Sequence, residues 1–347
     1  MTDRTRLTVV IPSRGRRPYL RRTVDYLLDI GVRVSVLEDA SAPDKSLAAL
    51  HDGNSRFQYF CLPDTSVQHR LSHGTSQVTS DFCMWSSDDE FVTATGIDQC
   101  IEALDANDWV GCSGQTLRFW PTKKIVHMRT MYAPTDLVST TIDARIWELL
   151  SDYSEPLLWN FYRTAVLRRA AGAMALSPST LGGVTELTHA ASIAIEGVVR
   201  PIDAVLRLRS DENQNQWKPV SDKFPSFQAW WHSSLTEVGQ LLDLLTDYPP
   251  AMSSAQMVDR NSLIRSFEAY MQLNQLSSDI EGPTRESIRQ RLAPYLGTQF
   301  HDAKFWAYRL SLSSVQRQEL SALAYLVRQF HDSQSGGKQQ RSRRRCK

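Results

Sequence analysis

The N-terminal half of the chain alternates short apolar runs with helical patterns, and this alternation restricts the fold more than any other feature. Residues 7–11 are almost all apolar or β-branched, as in a strand that is buried on both faces. Pro12 ends this run, and apolar residues at helical spacing follow Pro18 until Gly31. The alternation continues with strands predicted at 32–37, 57–62 and 82–85 and with helices at 47–51 and 67–78. This order predicts an α/β fold with a doubly wound, mostly parallel sheet flanked by helices.

Three consecutive acids, Asp88, Asp89 and Glu90, follow the predicted strand at 82–85. Adjacent carboxylates repel one another, and near a core they also lose their hydration. A divalent cation removes both penalties, because it binds carboxylate oxygens and can bridge them to phosphate oxygens. The alternative is a solvated acidic turn ahead of the next helix, and an isolated acidic triplet is more often such a turn.

A second acid, Asp39, follows the predicted strand at 32–37. The carboxyl ends of parallel strands meet at one edge of a sheet, and ligands of doubly wound sheets bind there. Asp39 and the acidic segment are therefore expected at the same edge. This placement favours a ligand site over a solvated turn.

The rest of the chain changes character twice. After a helix at 95–107, strands are predicted at 109–111, 117–120, 125–131, 157–162 and 198–208. Two further helices are predicted in this region, one at 140–153 and one that follows the loop Gly182-Gly183 and runs through Ile195. From Phe224 onward the predicted elements are all helices, at 227–245, 262–276, 284–296, 303–310 and 314–330. We therefore predict a sheet domain over residues 1–220 and an α-helical C-terminal domain over residues 221–332.

Composition narrows the class of protein. Of the 347 residues, 41% are hydrophobic and 22% are charged, and no apolar run reaches the roughly 18 residues of a membrane span. The five cysteines form no CxxC pair, which favours reduced thiols over a disulfide framework or a zinc site. Since no signal-peptide pattern precedes the first strand, we expect a cytoplasmic protein.

The last ten residues, 338–347, carry six positive charges and no acid. Because the whole chain has a net charge of +1, the remainder carries about −5, which argues against a nucleic-acid partner. A Ser/Gly-rich stretch precedes this tail, and residues 333–347 are predicted to be disordered. The tail either contacts an anionic membrane surface peripherally or is a solubilising extension.

The order of these segments resembles GT-A fold glycosyltransferases of family 2. Residues 8–16 are similar to the first strand and loop of that family, which line its nucleotide pocket, and residues 37–41 to the segment whose acid contacts the nucleoside. Ser87-Asp88-Asp89 stands in the place of the family's DxD metal motif, with Ser87 at its first acidic position. Residues 182–186 resemble the segment that supplies the catalytic base. The resemblance spans residues 7–210 and leaves the helical C-terminal third uncovered.

The resemblance implies a nucleoside diphosphate sugar donor, a UDP-sugar, and a divalent cation, Mn²⁺ or Mg²⁺, as cofactor. It assigns general-base catalysis to Glu186 and metal ligation to Asp89 and Asp211. It assigns donor binding to Pro12, Ser13, Arg14, Asp39, Arg70 and Asp88. Because Ser87 replaces the first acid, metal binding is expected to depend chiefly on Asp89, with Asp88 assisting. Asp211 or Glu212 stands where family members place a further metal contact, frequently a histidine. For each of these acids, a structural role at a helix start or strand end is the alternative.

Attack by a hydroxyl acceptor needs a general base within hydrogen-bond reach, and Glu186 is the best-placed carboxylate. No second carboxylate stands out as a nucleophile, which favours single displacement with inversion. The expected acceptor is a glycan, a lipid-linked intermediate or a protein. The helical C-terminal region is expected to bind this acceptor, to form a homo-oligomer or to meet a membrane.

Two other functions stay open at this stage. A noncatalytic module that binds a nucleotide sugar or a glycan would explain Ser87 in a degenerate DxD motif. A sugar-phosphate nucleotidyltransferase shares the wound sheet, but it needs a glycine-rich phosphate loop. The first loop, residues 13–16, supplies only Gly15.

Overall fold

The computed structural model describes residues 2–121, 125–132, 134–151, 153, 157–212, 223–249, 257–280 and 311–345. Within them the strands are β1 (Leu7–Ser13), β2 (Arg33–Glu38), β3 (Phe57–Cys61), β4 (Phe82–Trp85), β5 (Phe91–Val92), β6 (Gly111–Pro121), β7 (Val126–Tyr132), β8 (Phe161–Arg163) and β9 (Val199–Ser210). The helices are α1 (Arg17–Asp29), α2 (Lys45–Gly53), α3 (Val67–Ser76), α4 (Ala94–Ala106), α5 (Ile142–Ser151), α6 (Thr164–Ala175), α7 (Gly182–Glu196), α8 (Lys223–Ser233), α9 (Leu235–Thr246), α10 (Arg260–Ile280) and α11 (Ser314–Arg345). Short 3₁₀ turns lie at Arg4–Arg6 and Leu157–Trp159.

The strands form one sheet in the order β3-β2-β1-β4-β8-β6-β9-β5, and β7 pairs with β6. Strands β1 to β4 are mutually parallel, and β6 runs parallel to β9. Strands β5, β7 and β8 run antiparallel to their neighbours. The predicted mostly parallel α/β sheet, followed by helices, is confirmed. None of the described helices is long and apolar enough to cross a bilayer.

Strand β1 is buried on both faces, as its apolar run predicts. Val9 and Ile11 point into a cluster that α1 and α4 complete, whereas Val10 points into a cluster with side chains of α3, α6 and α7. Each fully buried aliphatic side chain stabilises the fold by roughly 1.5–3 kcal/mol. Helices on both faces leave the carboxyl edge of the sheet as its open side.

Helix α4 approaches the sheet so closely that only glycine fits at one contact. A Cβ atom at Gly96 would lie 2.6 Å from the Val205 carbonyl oxygen and 2.9 Å from the Leu206 Cα atom. Thr93 caps this helix, because its Oγ1 accepts from the Gly96 amide at 3.0 Å. The contact fixes α4 against β9 with no space for a larger side chain.

The C-terminal helices pack on both sides of the sheet domain. Phe227, Trp230 and Trp231 of α8 join the same buried cluster as α6 and α7. On α11, Leu320 and Leu323 pack in a separate cluster that contains Phe91, Leu117 and Phe119. The two sides of residue 220 thus share a hydrophobic core, and the two-domain division stays a prediction.

Several predicted elements differ from the structure. The strands predicted at 109–111 and 117–120 are parts of the single strand β6, because pairing with β9 continues along it with register shifts between Ser113 and Thr116. The strand predicted at 157–162 divides into a 3₁₀ turn and β8, and α6 follows it as an unpredicted helix. The helix predicted at 227–245 breaks between α8 and α9, and α7 begins at Gly182 itself rather than after a glycine loop.

The tail predicted to be disordered, residues 333–347, is helical in the structure up to Arg345. Helix α11 continues through the Ser/Gly-rich stretch at 333–337 to this residue. A helix that is already anchored by buried side chains extends at little cost, because nucleation has been completed elsewhere. The helices predicted at 284–296 and 303–310 lie outside the described residues.

Candidate active site

A cleft of 390 Å³ opens beyond the carboxyl end of β1. Its walls come from the first loop after β1, from α3, from the 3₁₀ turn before β8, and from the first turns of α7. Five of the predicted donor-binding and catalytic residues line it, namely Pro12, Ser13, Arg14, Arg70 and Glu186. The fold therefore brings residues more than 170 positions apart to one site, as the carboxyl edge of a parallel sheet predicts.

A sharp turn in the first loop places Arg16 toward the sheet. Gly15 has a φ of 71°, in the left-handed region that favours glycine. The chain then enters α1, and Arg16 precedes its first residue. The Arg16 side chain is only 18% exposed, whereas that of Arg14 on the other side of the glycine is 82% exposed.

Arg16 contacts both acids of the predicted metal motif. Its Nη2 forms a close ion pair with the carboxylate of Asp88, and its Nη1 donates to Asp89 Oδ2 at 2.9 Å. Asp88 also accepts a 2.7 Å hydrogen bond from the hydroxyl of Ser13. One guanidinium thus lies between two buried carboxylates that would otherwise repel each other, and one hydroxyl donates to Asp88.

Helix α1 holds the main chain of the acidic segment. Arg22 Nη2 donates to the Asp89 carbonyl at 3.1 Å, and Thr23 Oγ1 donates to the Asp88 carbonyl at 3.0 Å. Burial raises the pKa of the Asp88 carboxyl to about 6, although Arg16 and Ser13 oppose the shift. The segment is thus a buried, fixed part of the site and not a solvated turn.

The third acid, Glu90, lies beside two arginines of β9. Its carboxylate lies 3.8 Å from Arg207 and 3.9 Å from Arg209 on β9. Burial raises the pKa of Glu90, and these two arginines oppose the shift. The guanidinium carbon of Arg207 lies 5.8 Å from the ring centroid of Trp159, which lines the cleft.

Asp39 follows β2 and lies between two arginines of the cleft. Its Oδ2 is 3.5 Å from Arg14 Nε and 3.9 Å from Arg70 Nη2, and its Oδ1 accepts from the Asp64 amide at 3.2 Å. Arg70 also donates to the Ser13 carbonyl at 2.9 Å, which ties α3 to the end of β1. Asp39 is thus at the predicted edge of the sheet, behind the arginines that face the cleft.

Glu186 reaches the cleft from the second turn of α7, where it is half-buried. The hydroxyl of Tyr153 donates to Glu186 Oε1 at 3.1 Å. Burial raises the pKa of Tyr153, so this hydroxyl remains a donor at neutral pH. The contact orients one oxygen of the carboxylate at the cleft wall.

The predicted metal ligands do not come together as a cation site. Asp211 follows β9 and forms a close ion pair with Arg118 of β6, while Asp89 pairs with Arg16. Among the described residues, no cluster of three or more His, Cys, Asp or Glu side chains could hold a metal ion. Since each carboxylate already faces an arginine, the donor set as placed does not fit a divalent cation.

Comparison with known proteins agrees with this architecture. Residues 8–169 match the family model described as glycosyl transferase family 2. Over residues 8–169, the chain thus carries a family 2 glycosyltransferase domain. The glycosyltransferase predicted from the sequence is thereby confirmed, whereas Glu186 and Asp211 lie beyond the matched residues.

No curated protein matches the chain. Among solved structures, residues 1–349 of S. aureus TarS are 9% identical with a TM-score of 0.49, covering 90% of this chain and 77% of that one. The complex of the same protein with UDP-GlcNAc is 10% identical with a TM-score of 0.46, covering 77% of this chain and 80% of that one. Similarity at this level supports no inference about the ligands of the present chain.

The structure also assigns positions that sequence patterns left open. The loop contains three arginines, and sequence alone does not distinguish Arg14 and Arg17 from Arg16. The one sequence signal that could have identified Arg16 is Gly15, since a glycine in this loop indicates a tight turn that changes the direction of the next residue. Among the tryptophans, Trp159 lines the cleft, whereas Trp230 and Trp231 are buried in the core.

Proposed function

We propose that the protein transfers a sugar from a nucleoside diphosphate donor, a UDP-sugar, to a hydroxyl acceptor with inversion at the anomeric carbon. The observation that carries this proposal is the shared cleft. Three arginines, Arg14, Arg16 and Arg70, line the same cleft as the carboxylate of Glu186 in α7. The arginines suit a diphosphate, and a carboxylate in the same cleft suits proton abstraction from an acceptor.

The donor is proposed to bind with its diphosphate against Arg14, Arg16 and Arg70, all of which line the cleft. Asp39 lies directly behind two of these arginines, where it can accept hydrogen bonds from ribose hydroxyls or a uracil N–H. Pro12 and Ser13 line the cleft at the end of β1, and the Ser13 hydroxyl donates to Asp88. These are the donor-binding roles that the resemblance implies.

The reaction is proposed to proceed in one displacement. The acceptor oxygen attacks the anomeric carbon on the face opposite the diphosphate while Glu186 takes the acceptor's proton. The bond between the anomeric carbon and the diphosphate oxygen breaks, and its electron pair leaves with the nucleoside diphosphate. Because one displacement occurs at the carbon, its configuration is inverted.

The divalent cation, Mn²⁺ or Mg²⁺, and its ligands Asp89 and Asp211 stay a prediction from the resemblance. Both carboxylates are paired with arginines, so no step of the proposed reaction is routed through a metal. The acceptor is proposed to be a glycan, a lipid-linked intermediate or a protein. Roles of the C-terminal helices in acceptor binding, homo-oligomer formation or peripheral membrane contact, and a cytoplasmic location, are likewise predictions.

The test compares Glu186→Gln with Glu102→Gln, which changes a glutamate on the exposed side of α4. Donor turnover and transfer to simple sugar acceptors are measured over a panel of UDP-, GDP- and dTDP-sugars, with donor binding followed by calorimetry. Loss of general-base catalysis should lower kcat of transfer by about 10²–10⁴ in Glu186→Gln, with unchanged donor Kd. Glu102→Gln should match the wild type.

Three outcomes separate the hypotheses. If Glu186→Gln keeps transfer within a few-fold of wild type, the base is another residue. If the wild type binds nucleotide sugars but never turns them over, the noncatalytic module is correct. If it binds no nucleotide, the proposed function is refuted.

A further inference from the structure

The cation that contacts the acidic segment in this structure is an arginine of the same chain. Arg16 bridges Asp88 and Asp89 with its two terminal nitrogens. Asp89 is the residue on which the predicted metal binding chiefly depends, and Asp88 is its neighbour in the same motif. A divalent cation that bound the oxygens now held by Arg16 would have to displace the guanidinium from both acids.

The charges on the cleft wall favour the arginine as the resident cation. Of the described residues that line the cleft, three are arginines, namely Arg14, Arg16 and Arg70, and one is a carboxylate, Glu186. Neither Asp88 nor Asp89 is among these lining residues, whereas Ser87 is. A ligand that enters the cleft therefore meets the N–H donors of these arginines, whereas Asp39, Asp88 and Asp89 contact the arginines from outside the lining. Guanidinium donors bind phosphate oxygens and not metal ions.

The geometry of Arg16 allows it to bind the acids and a ligand together. A guanidinium carries five N–H donors in a rigid plane, so it can donate to two carboxylates and still donate to phosphate oxygens. The two carboxylates fix its orientation before any ligand arrives, and Ser13 fixes Asp88 in turn. A preoriented cation stabilises developing negative charge without reorganising during the reaction.

We propose that Arg16 takes the role of the divalent cation, so that this chain cleaves its donor without metal. Arg16 is then a catalytic residue that stabilises the diphosphate as the bond to the anomeric carbon breaks and its electron pair moves onto the diphosphate oxygen. Asp88 and Asp89 are positioning residues that act through Arg16. The proposal rests on the proposed function above and differs from the metal-dependent reaction that the resemblance implies.

The first experiment uses the full-length wild type after metal removal by chelator and gel filtration. Donor turnover and the Kd of UDP are measured in EDTA and with added Mn²⁺ or Mg²⁺. Both quantities should agree within about twofold across the conditions. Loss of turnover in EDTA with recovery on adding Mn²⁺ would overturn the inference and leave the transferase assignment standing, whereas no turnover under any condition would refute the proposed function itself.

The second experiment compares Arg16→Lys with Arg21→Lys, an exposed arginine on α1 whose partner is Asp25. A lysine ammonium cannot bridge two carboxylates in a plane, so Arg16→Lys should lower kcat by about 100-fold or more while the melting temperature stays near that of the wild type. Arg21→Lys should keep wild-type turnover. Wild-type turnover in a folded Arg16→Lys protein would overturn the inference.

A third variant keeps the proposal testable if Arg16→Lys does not fold. Asp89→Asn removes one of the two positioning carboxylates and leaves Arg16 in place. It should lower kcat, with turnover still the same in EDTA and in Mn²⁺. A variant that instead needs much more Mn²⁺ than the wild type for half-maximal turnover would identify Asp89 as a metal ligand and overturn the inference.

Discussion

The buried ion pair between Arg22 and Glu212 provides the sharpest test of how the site is held together. The Arg22 side chain is 4% exposed and that of Glu212 is 0% exposed. Glu212 accepts from Arg22 at 2.8 and 2.6 Å and contacts His331 Nε2 of α11 at 2.6 Å. Arg22 also donates to the Asp89 carbonyl, so this pair joins the C-terminal helix to the acidic segment.

Replacing Glu212 by Gln keeps the size of the side chain but removes its charge. The Arg22 guanidinium is then left buried without a counter-charge, and the new amide N–H₂ faces other N–H donors. Removing one partner of a buried pair costs about 3–5 kcal/mol, which is a large part of the 5–15 kcal/mol that stabilises a typical domain. We expect Glu212→Gln to lower the free energy of unfolding by this amount.

The assay is urea unfolding monitored by tryptophan fluorescence at pH 7, with the slope m compared between variants. Asp25→Asn is the matched control, because it removes the acid of the Arg21–Asp25 pair on the same helix, where the side chains are 43% and 55% exposed. Exposed pairs contribute about 0–1 kcal/mol, so this control should stay close to wild type. An equally small effect for Glu212→Gln would refute the reasoning.

A double variant separates the loss of the pair from the cost of an unpaired charge. Arg22→Met keeps part of the packing against Tyr19 and Phe330, whose ring centroids lie 5.3 and 4.6 Å from the guanidinium carbon. Combining it with Glu212→Met removes both charges, so the double variant should be less destabilised than the sum of the two single changes. Simple additivity would show that the two side chains act independently.

Three further predictions concern the fold. Burial lowers the pKa of His189 from 6.5 to about 3, so between these pH values the unfolded state binds more protons than the folded state. The contribution of His189 should therefore lower wild-type stability by about 1.4 kcal/mol for each pH unit that the pH falls in this range. His189→Phe should remove this contribution, as urea titrations of both proteins at pH 6.5 and 4.5 will measure. Gly172→Ala on α6, where an added Cβ meets nothing within 4 Å, should raise the free energy of unfolding by about 0.5–1 kcal/mol, whereas Gly96→Ala should lower it by about 1–3 kcal/mol in the same titration. Equal effects of the two changes would contradict the close contact between α4 and β9. Glu319→Ala removes the carboxylate that accepts from two amides at the start of α4, so it should lower the free energy of unfolding by about 1 kcal/mol. Gln318→Ala, at an exposed position of the same helix as Glu319, is the control and should stay near wild type.

Local patterns were sufficient for the elements that carry the site. The apolar run of β1, the acid after β2 and the acidic segment after β4 predict the edge of the sheet at which the cleft lies. These predictions succeed because strand period and turn residues are local properties. The β6–β9 pairing and α6 were missed, because long-range register and tertiary packing decide them and neither leaves a clear local period.

By itself, the sequence determined the α/β class, the family and the edge of the sheet where acids and arginines gather. It could not decide what neutralises the acids, because Asp88 and Asp89 are equally suited to a metal or to an arginine. Only the tertiary structure decided this point: the turn at Gly15 directs Arg16 onto both carboxylates, and β9 delivers Asp211 to Arg118. A buried charge takes its partner from whatever the fold places within a few ångströms, and that distance is a property of the packed chain.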